Sequence, residues 1–380
     1  MGWVRGSRRR FLRGVGRVGA GAAAAWVAPF GWGQRAAAKR LGTIGAVSLG
    51  EYAAARGLLY GCAVDVRALG ADAGYAALIR EQCRIVVAEN AMKWRALRPS
   101  AEAFRFDDAD ALVKFAETNR MKIRGHNLVW HEDNPGWLEA TATAANARRL
   151  LVSHIETVVG RYAGRMHSWD VVNEGINVAD GRADGMRRSL WLRLVGDDYM
   201  ELAFRTAREA DPEALLTYNE YGIEAESAED ERKREAVMVM LRRLVARRVP
   251  VDAVGVQSHI DGTGAVYGAG LMRFIGAVRE LGLQVFISEM DVNDRALPAD
   301  VSARDATVAA IYKGYLDLVL GDAAVRAVLT WGITDRYTWL NHEQTRKDGL
   351  AERALPFDGD GGAKPAFFAM RDGFDGRGAR

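Results

Sequence analysis

Two glutamates stand out by their company. One closes the run Trp169-Asp170-Val171-Val172-Asn173-Glu174, and the other lies within Phe286-Ile287-Ser288-Glu289-Met290-Asp291. Each follows a short apolar, β-rich stretch, the position where a parallel α/β fold turns polar side chains toward a ligand. A pair of carboxylates there can break an acetal C–O bond. One lends a proton to the departing oxygen, while the other, on the opposite face, attacks the carbon or activates water. A single such glutamate would read as a salt-bridged strand end. Asn173, next to Glu174, is of a type that can hydrogen-bond a substrate hydroxyl.

The elements that must carry these residues recur along the chain. Apolar, β-rich runs span Tyr60–Val66, Arg84–Glu89, Lys122–Trp130, His167–Glu174, Leu215–Tyr221, Ala253–His259, Gln284–Asp291 and Ala327–Thr334. Between them apolar residues fall at three- and four-residue spacing, as in Leu150, Leu151, Ile155, Val158, Val159 and Tyr162, which predicts amphipathic helices. Asp107 or Asp108 is expected to cap one helix, and Asp305 to lie near the start of another. Eight strands alternating with helices predict an α/β fold, a single-domain (β/α)8 TIM barrel. Alternation alone also permits an open doubly wound sheet, but no Gly-rich phosphate turn follows the first strand. In a barrel, strands four and seven lie on opposite sides of the mouth, so Glu174 and Glu289 can face each other.

From about Leu58 to Phe374 the sequence resembles glycoside hydrolase family 10, the endo-1,4-β-xylanases. The resemblance rests on motifs in order: Glu89-Asn90-Ala91-Met92-Lys93-Trp94, Gly125-His126-Asn127-Leu128-Val129-Trp130-His131, Trp169 through Glu174, Val256-Gln257-Ser258-His259, Ser288-Glu289-Met290-Asp291, and Thr330-Trp331-Gly332-Ile333-Thr334-Asp335 with Trp339. It implies Glu174 as general acid/base and Glu289 as nucleophile in a retaining double displacement, supported by Asn173, His259 and Asp291. It further implies that Glu89, Asn90, Lys93, His126, Trp130, Gln257, Trp331 and Trp339 bind xylan and xylo-oligosaccharides. Two segments depart from the family pattern. Asn219-Glu220-Tyr221-Gly222 stands where Asn-Asp-Tyr-Asn is common, and Asp133 where Gln is common. Both touch the aglycone and rim contacts rather than the two glutamates. The competing readings are a β-1,4-glucanase of similar layout, a non-catalytic carbohydrate-binding barrel and a metal hydrolase using His126, His131 and His259.

Residues 1–40 hold nine Lys/Arg and no Asp/Glu, so the formal charge of +3 conceals an acidic remainder of 43 basic and 49 acidic residues. That remainder argues against nucleic-acid binding. Ser7-Arg8-Arg9-Arg10-Phe11-Leu12, followed by a Gly/Ala-rich run, resembles a twin-arginine export signal. Residues 1–40 are therefore expected to be removed, residues 41–380 to form the catalytic barrel, and the mature protein to reach the periplasm or exterior as a monomer, off the membrane. No Cys/His cluster has zinc-ligand spacing and no cofactor or metal is expected. Cys62 and Cys83 can form a disulfide or remain buried thiols.

Overall fold

The computed structural model describes residues 47–264 and 266–376; the segment read as an export signal lies outside the described residues. Its parallel strands are β1 (Leu59–Val64), β2 (Ile85–Ala88), β3 (Lys122–Val129), β4 (Ser168–Asn173), β5 (Leu215–Glu220), β6 (Ala253–Val256), β7 (Gln284–Asn293) and β8 (Val325–Thr330). Neighbours pair in chain order from β1 to β6, β6 pairs with β7, β7 with β8, and β8 returns to β1, which closes the barrel. The open-sheet alternative is thereby excluded. Closure pairs each of these eight strands on both sides, and the near-continuous apolar strands follow from burial on both faces.

The helices supply the outer layer. Ala147–Arg161 buries Leu150, Leu151, Ile155, Val158 and Val159, while Ala269–Glu280 buries Leu271, Phe274, Ile275 and Val278. A large apolar cluster lies between helices and sheet, and a separate one, including Ile85, Val87, Phe286 and Leu329, fills the barrel interior. Among the described residues no helix is long and apolar enough to cross a membrane.

Several predicted boundaries move for local reasons. β1 stops at Val64 because the Asp65 carboxylate accepts from the Arg67 and Ala68 N–H groups and starts a helix at Val66. The helix Asp107–Thr118 begins after Phe106, so Asp107 and Asp108 sit in its first turn, where they complement the helix dipole rather than cap it. Asp300 caps Val301–Val319, and Asp305 lies inside that helix in a bidentate pair with Arg353. The predicted strand Ala253–His259 breaks in two. It pauses at Ser258, whose φ is 63°, and resumes as His259–Asp261 beside Asp291–Asn293. Cys62 and Cys83 are free, fully buried thiols with sulfurs 3.6 Å apart.

Candidate active site

Above the apolar plug the barrel interior turns polar. Arg124 on β3, Asp170 on β4, Asn219 on β5 and Ser288 on β7 are all fully buried. Arg124 reaches Asp170 Oδ1 with Nε at 3.1 Å and Nη2 at 2.5 Å, Asn219 Oδ1 at 3.2 Å and the Ser288 carbonyl at 3.2 Å. A buried guanidinium is tolerated only when paired and hydrogen-bonded in this way. Gly255 makes the space: a Cβ there would lie 2.0 Å from Asn219 Oδ1 and 3.2 Å from Arg124 Nη2. Asn219 Oδ1 also accepts from Ser288 Oγ at 2.7 Å, and its amide nitrogen donates to Asn173 Oδ1 at 2.8 Å and Glu289 Oε1 at 2.7 Å.

Glu289 is thus held from beneath by Asn219 and from the side by His259, whose Nε2 lies 3.2 Å from Oε2. The other imidazole nitrogen is 3.0 Å from Asp291 Oδ1, and Asp291 Oδ2 accepts from Trp339 Nε1 at 2.7 Å. Burial alone would raise the Glu289 pKa. The His259 hydrogen bond and the charges of His126, His259 and Arg124 overcome it and hold the carboxyl near 2. Burial likewise works to lower the His259 pKa, but Asp291 and then Glu289 outweigh it and lift the imidazole to about 10. The pair is an imidazolium clamped between two carboxylates.

Glu174 follows β4 with φ of 55°, a left-handed conformation that costs energy for a residue with a Cβ. Its Oε1 accepts from Gln257 Nε2 at 3.2 Å and Asn173 Nδ2 at 3.4 Å, and Gln257 Nε2 also lies 3.4 Å from Asn173 Oδ1. Glu174 and Glu289 therefore belong to one network that runs through Gln257, Asn173 and Asn219. The break in strand six serves this network. Glu224 accepts from the Ser258 N–H at 2.8 Å and Ser258 Oγ lies 2.7 Å from Tyr315 Oη, which fixes the turn between Gln257 and His259.

A second group lies at the ends of β2 and β3. Asn90 Nδ2 donates to Glu89 Oε1 at 3.2 Å, and Lys93 Nζ donates to Asn90 Oδ1 at 2.8 Å while sitting 5.2 Å from the Trp130 ring centroid. Burial, partly offset by Lys93 and reinforced by Asp65, pushes the Glu89 carboxyl up to about 7. Trp130 meets His131 edge-on at 5.7 Å, and His131 Nδ1 is 3.7 Å from Glu174 Oε2, so this group adjoins the first.

Two buried carboxylates in one polar network at the carboxyl ends of opposite barrel strands match the arrangement that cleaves glycosidic bonds. The model of Glycosyl hydrolase family 10 matches residues 48–373. The chain belongs to that family. Endo-1,4-beta-xylanase B of Thermotoga neapolitana is 36% identical over 304 residues, covering 78% of this chain and 82% of the relative. Beta-1,4-xylanase of Dictyoglomus thermophilum is 34% identical, covering 78% and 83%. The crystal structure of native xylanase 10B from Thermotoga maritima superposes with a TM-score of 0.79 at 35% identity, covering 87% of this chain and 98% of that one. A structure of xylanase 10B from Thermotoga petrophila RKU-1 in complex with xylobiose gives the same values.

Within this family 10 chain the structure gathers Glu174, Glu289, Asn173, Gln257, His259, Asp291, His126 and Trp339 into one cluster, with Glu89, Asn90, Lys93 and Trp130 beside it. Trp331 is 7% exposed, and its ring makes T-shaped contacts with His126 at 5.1 Å and His259 at 6.3 Å. Among the described residues, His126, Asp170 and Glu289 have donor atoms within 4.8 Å of one another, as a metal site requires. Asp170 already carries Arg124 on one oxygen and His126 Nδ1, 2.8 Å away, on the other, so a dication there would meet a guanidinium. In the metal-hydrolase set of His126, His131 and His259, two rings approach Glu289, but His126 is also paired with Asp170 and His259 with Asp291, while His131 faces Glu174 instead. Arg124, Asp170 and Asn219 were not singled out from the sequence. Their signal was a polar residue at an inward period-two position of an otherwise apolar strand.

Proposed function

We propose that this enzyme is an endo-1,4-β-xylanase that cleaves internal xylosidic bonds with retention, Glu289 acting as nucleophile and Glu174 as acid/base. The observation that carries the reading is the single hydrogen-bond network that joins the two buried carboxylates in different company. Glu289 is held low by the His259 hydrogen bond and the charges of His126, His259 and Arg124, whereas Glu174 accepts only from the neutral amides of Gln257 and Asn173, both on Oε1. In the first step Glu289 attacks the anomeric carbon as Glu174 protonates the leaving oxygen, giving a covalent glycosyl-enzyme. In the second, Glu174 takes a proton from water, the water oxygen bonds to that carbon, and the Glu289 ester bond breaks. Asn173 Oδ1 is occupied by Asn219 and Gln257, and Nδ2, with one hydrogen directed to Glu174 Oε1, keeps a second to donate to the sugar 2-hydroxyl as charge develops next to it.

Xylose is preferred over glucose because the glycone wall is fixed. Trp339 is tethered through Nε1 to Asp291, and Lys93 is held by Asn90, so neither moves aside for a hydroxymethyl group. Activity is tested by comparing hydrolysis of xylan with that of carboxymethylcellulose, and retention by NMR of the first-formed anomer. Preference for the glucan would reject the xylanase reading, and a first-formed α-anomer would reject the nucleophile. The Arg-rich N-terminal segment supports export to the periplasm or exterior; fractionation of a cell expressing the full chain checks the address.

A further inference from the structure

Glu220 is the residue at which this chain carries one methylene more than the aspartate common in its family, and it does not point into the barrel. It ends β5 on the helix-facing side, fully buried, with four donors around its carboxylate. Lys233 Nζ lies 2.8 Å and the Tyr221 N–H 3.1 Å from Oε1, while Tyr218 Oη lies 2.5 Å and the Ile176 N–H 3.2 Å from Oε2. Four donors match the four lone-pair directions of the carboxylate, so its burial leaves no acceptor unsatisfied.

The partners lead back to the acid/base. Lys233 Nζ sits 3.5 Å from the Tyr221 ring centroid. Tyr221 Oη accepts from Arg187 Nη2 at 2.9 Å, and Arg187 Nε donates to the Glu174 carbonyl at 2.7 Å. The Arg187 N–H bonds the Gly175 carbonyl at 2.8 Å, and the Glu174 N–H bonds the Asn219 carbonyl at 2.9 Å. The main chain from Glu174 to Ile176 is therefore fastened at four points, two of them through the charged side chains of Glu220 and Arg187. This is the segment whose first residue has a left-handed φ, a conformation that persists only where the surroundings over-determine it.

Resting on the acid/base assignment above, we propose that Glu220, Lys233 and Arg187 are positioning residues that fix the backbone of Glu174 and so aim its proton at the leaving oxygen. Loss of this aim penalises leaving groups that need a proton and spares those that do not. Glu220→Gln turns an amide toward donors, and Lys233→Met removes the countercharge at similar length. Both are made in the full enzyme and assayed as kcat/KM, which reports formation of the glycosyl-enzyme, on phenyl and 2,4-dinitrophenyl β-xylobiosides.

Each variant is expected to lose about ten- to hundred-fold on the phenyl glycoside while staying within about three-fold of the parent on the dinitrophenyl one, since general acid assistance serves only the first. An equal loss on both substrates, or none on either, overturns the proposal. If Glu220→Gln fails to fold by near-ultraviolet circular dichroism, Lys233→Met decides; if neither folds, the set is scaffold and the positioning role is rejected. A parent enzyme inert on both glycosides sinks the xylanase reading instead, so the two failures are distinct.

Discussion

Replacing His259 by alanine removes the donor 3.2 Å from Glu289 Oε2 and exposes Glu289 to Asp291, its neighbour across the imidazole. A hydrogen bond to a charged group contributes about 1.5 to 3 kcal/mol, and one pKa unit corresponds to about 1.4 kcal/mol, so the Glu289 carboxyl should rise by about one to two. From its present value of about 2 that places it at roughly 3 to 4. The direction follows from which form is stabilised: His259 bonds the ionised carboxylate, so its removal favours the protonated acid, and repulsion from Asp291 adds to the rise. The nucleophile must be ionised, so the acidic limb of kcat/KM moves toward neutral pH by the same amount. The assay is a pH profile on an aryl β-xylobioside, with circular dichroism at each pH to separate titration from acid unfolding. A folded His259→Ala enzyme whose acidic limb coincides with that of the parent would refute the claim that this imidazole keeps the nucleophile charged.

Three further outcomes follow from the same geometry. Asn219→Ala leaves Arg124 Nη2, Ser288 Oγ and Glu289 Oε1 short of a partner, so it should cost about 1 to 3 kcal/mol of stability. Urea denaturation measures that, and an unchanged midpoint counts against the network. Glu89, with its carboxyl pushed up to about 7, should bind xylo-oligosaccharides more tightly when ionised, because a charged acceptor makes the stronger hydrogen bond. KM should therefore fall as pH rises through about 7, and the trend should vanish in Glu89→Gln. Dialysis against a chelator should leave xylan hydrolysis intact, since Arg124 already supplies the positive charge at the His126, Asp170 and Glu289 cluster; complete loss restored by a divalent ion would contradict this.

The barrel and its two carboxylates were legible because they use signals that lie in short stretches of sequence. Apolar runs of strand length, helical spacing between them, and an acid at the end of the fourth and seventh runs need no knowledge of what touches what. The break at Ser258 was not legible. A serine at φ of 63° is held there by Glu224, 34 residues earlier, and by Tyr315, 57 residues later. The contact of Trp331 with the barrel's apolar plug was not legible either, because the plug is assembled from residues of several distant strands. Glu220 stands out in the sequence only as a departure from a pattern, since the groups that hold its carboxylate include Ile176, 44 residues earlier, and Lys233 on a later helix.

The two glutamates have the same side chain and share one hydrogen-bond network, so their different tasks must come from their surroundings. Glu289 is approached by Asn219, His259, His126 and the Arg124 guanidinium, all of which favour charge, and the barrel interior is built to keep them there: Gly255 clears room for Asn219 and Arg124, and the strand break aims His259. Glu174 receives only neutral amides on one oxygen, and its other oxygen faces His131 at 3.7 Å without a hydrogen bond. The cationic groups near it, Arg187 and Lys233, hold its backbone or the strand beside it instead of its carboxyl group. Positive charge is thus directed to the side chain of one glutamate and to the main chain of the other. That division gives two identical side chains different electrostatic surroundings, the condition under which one pair of glutamates can divide the proposed nucleophile and acid/base tasks.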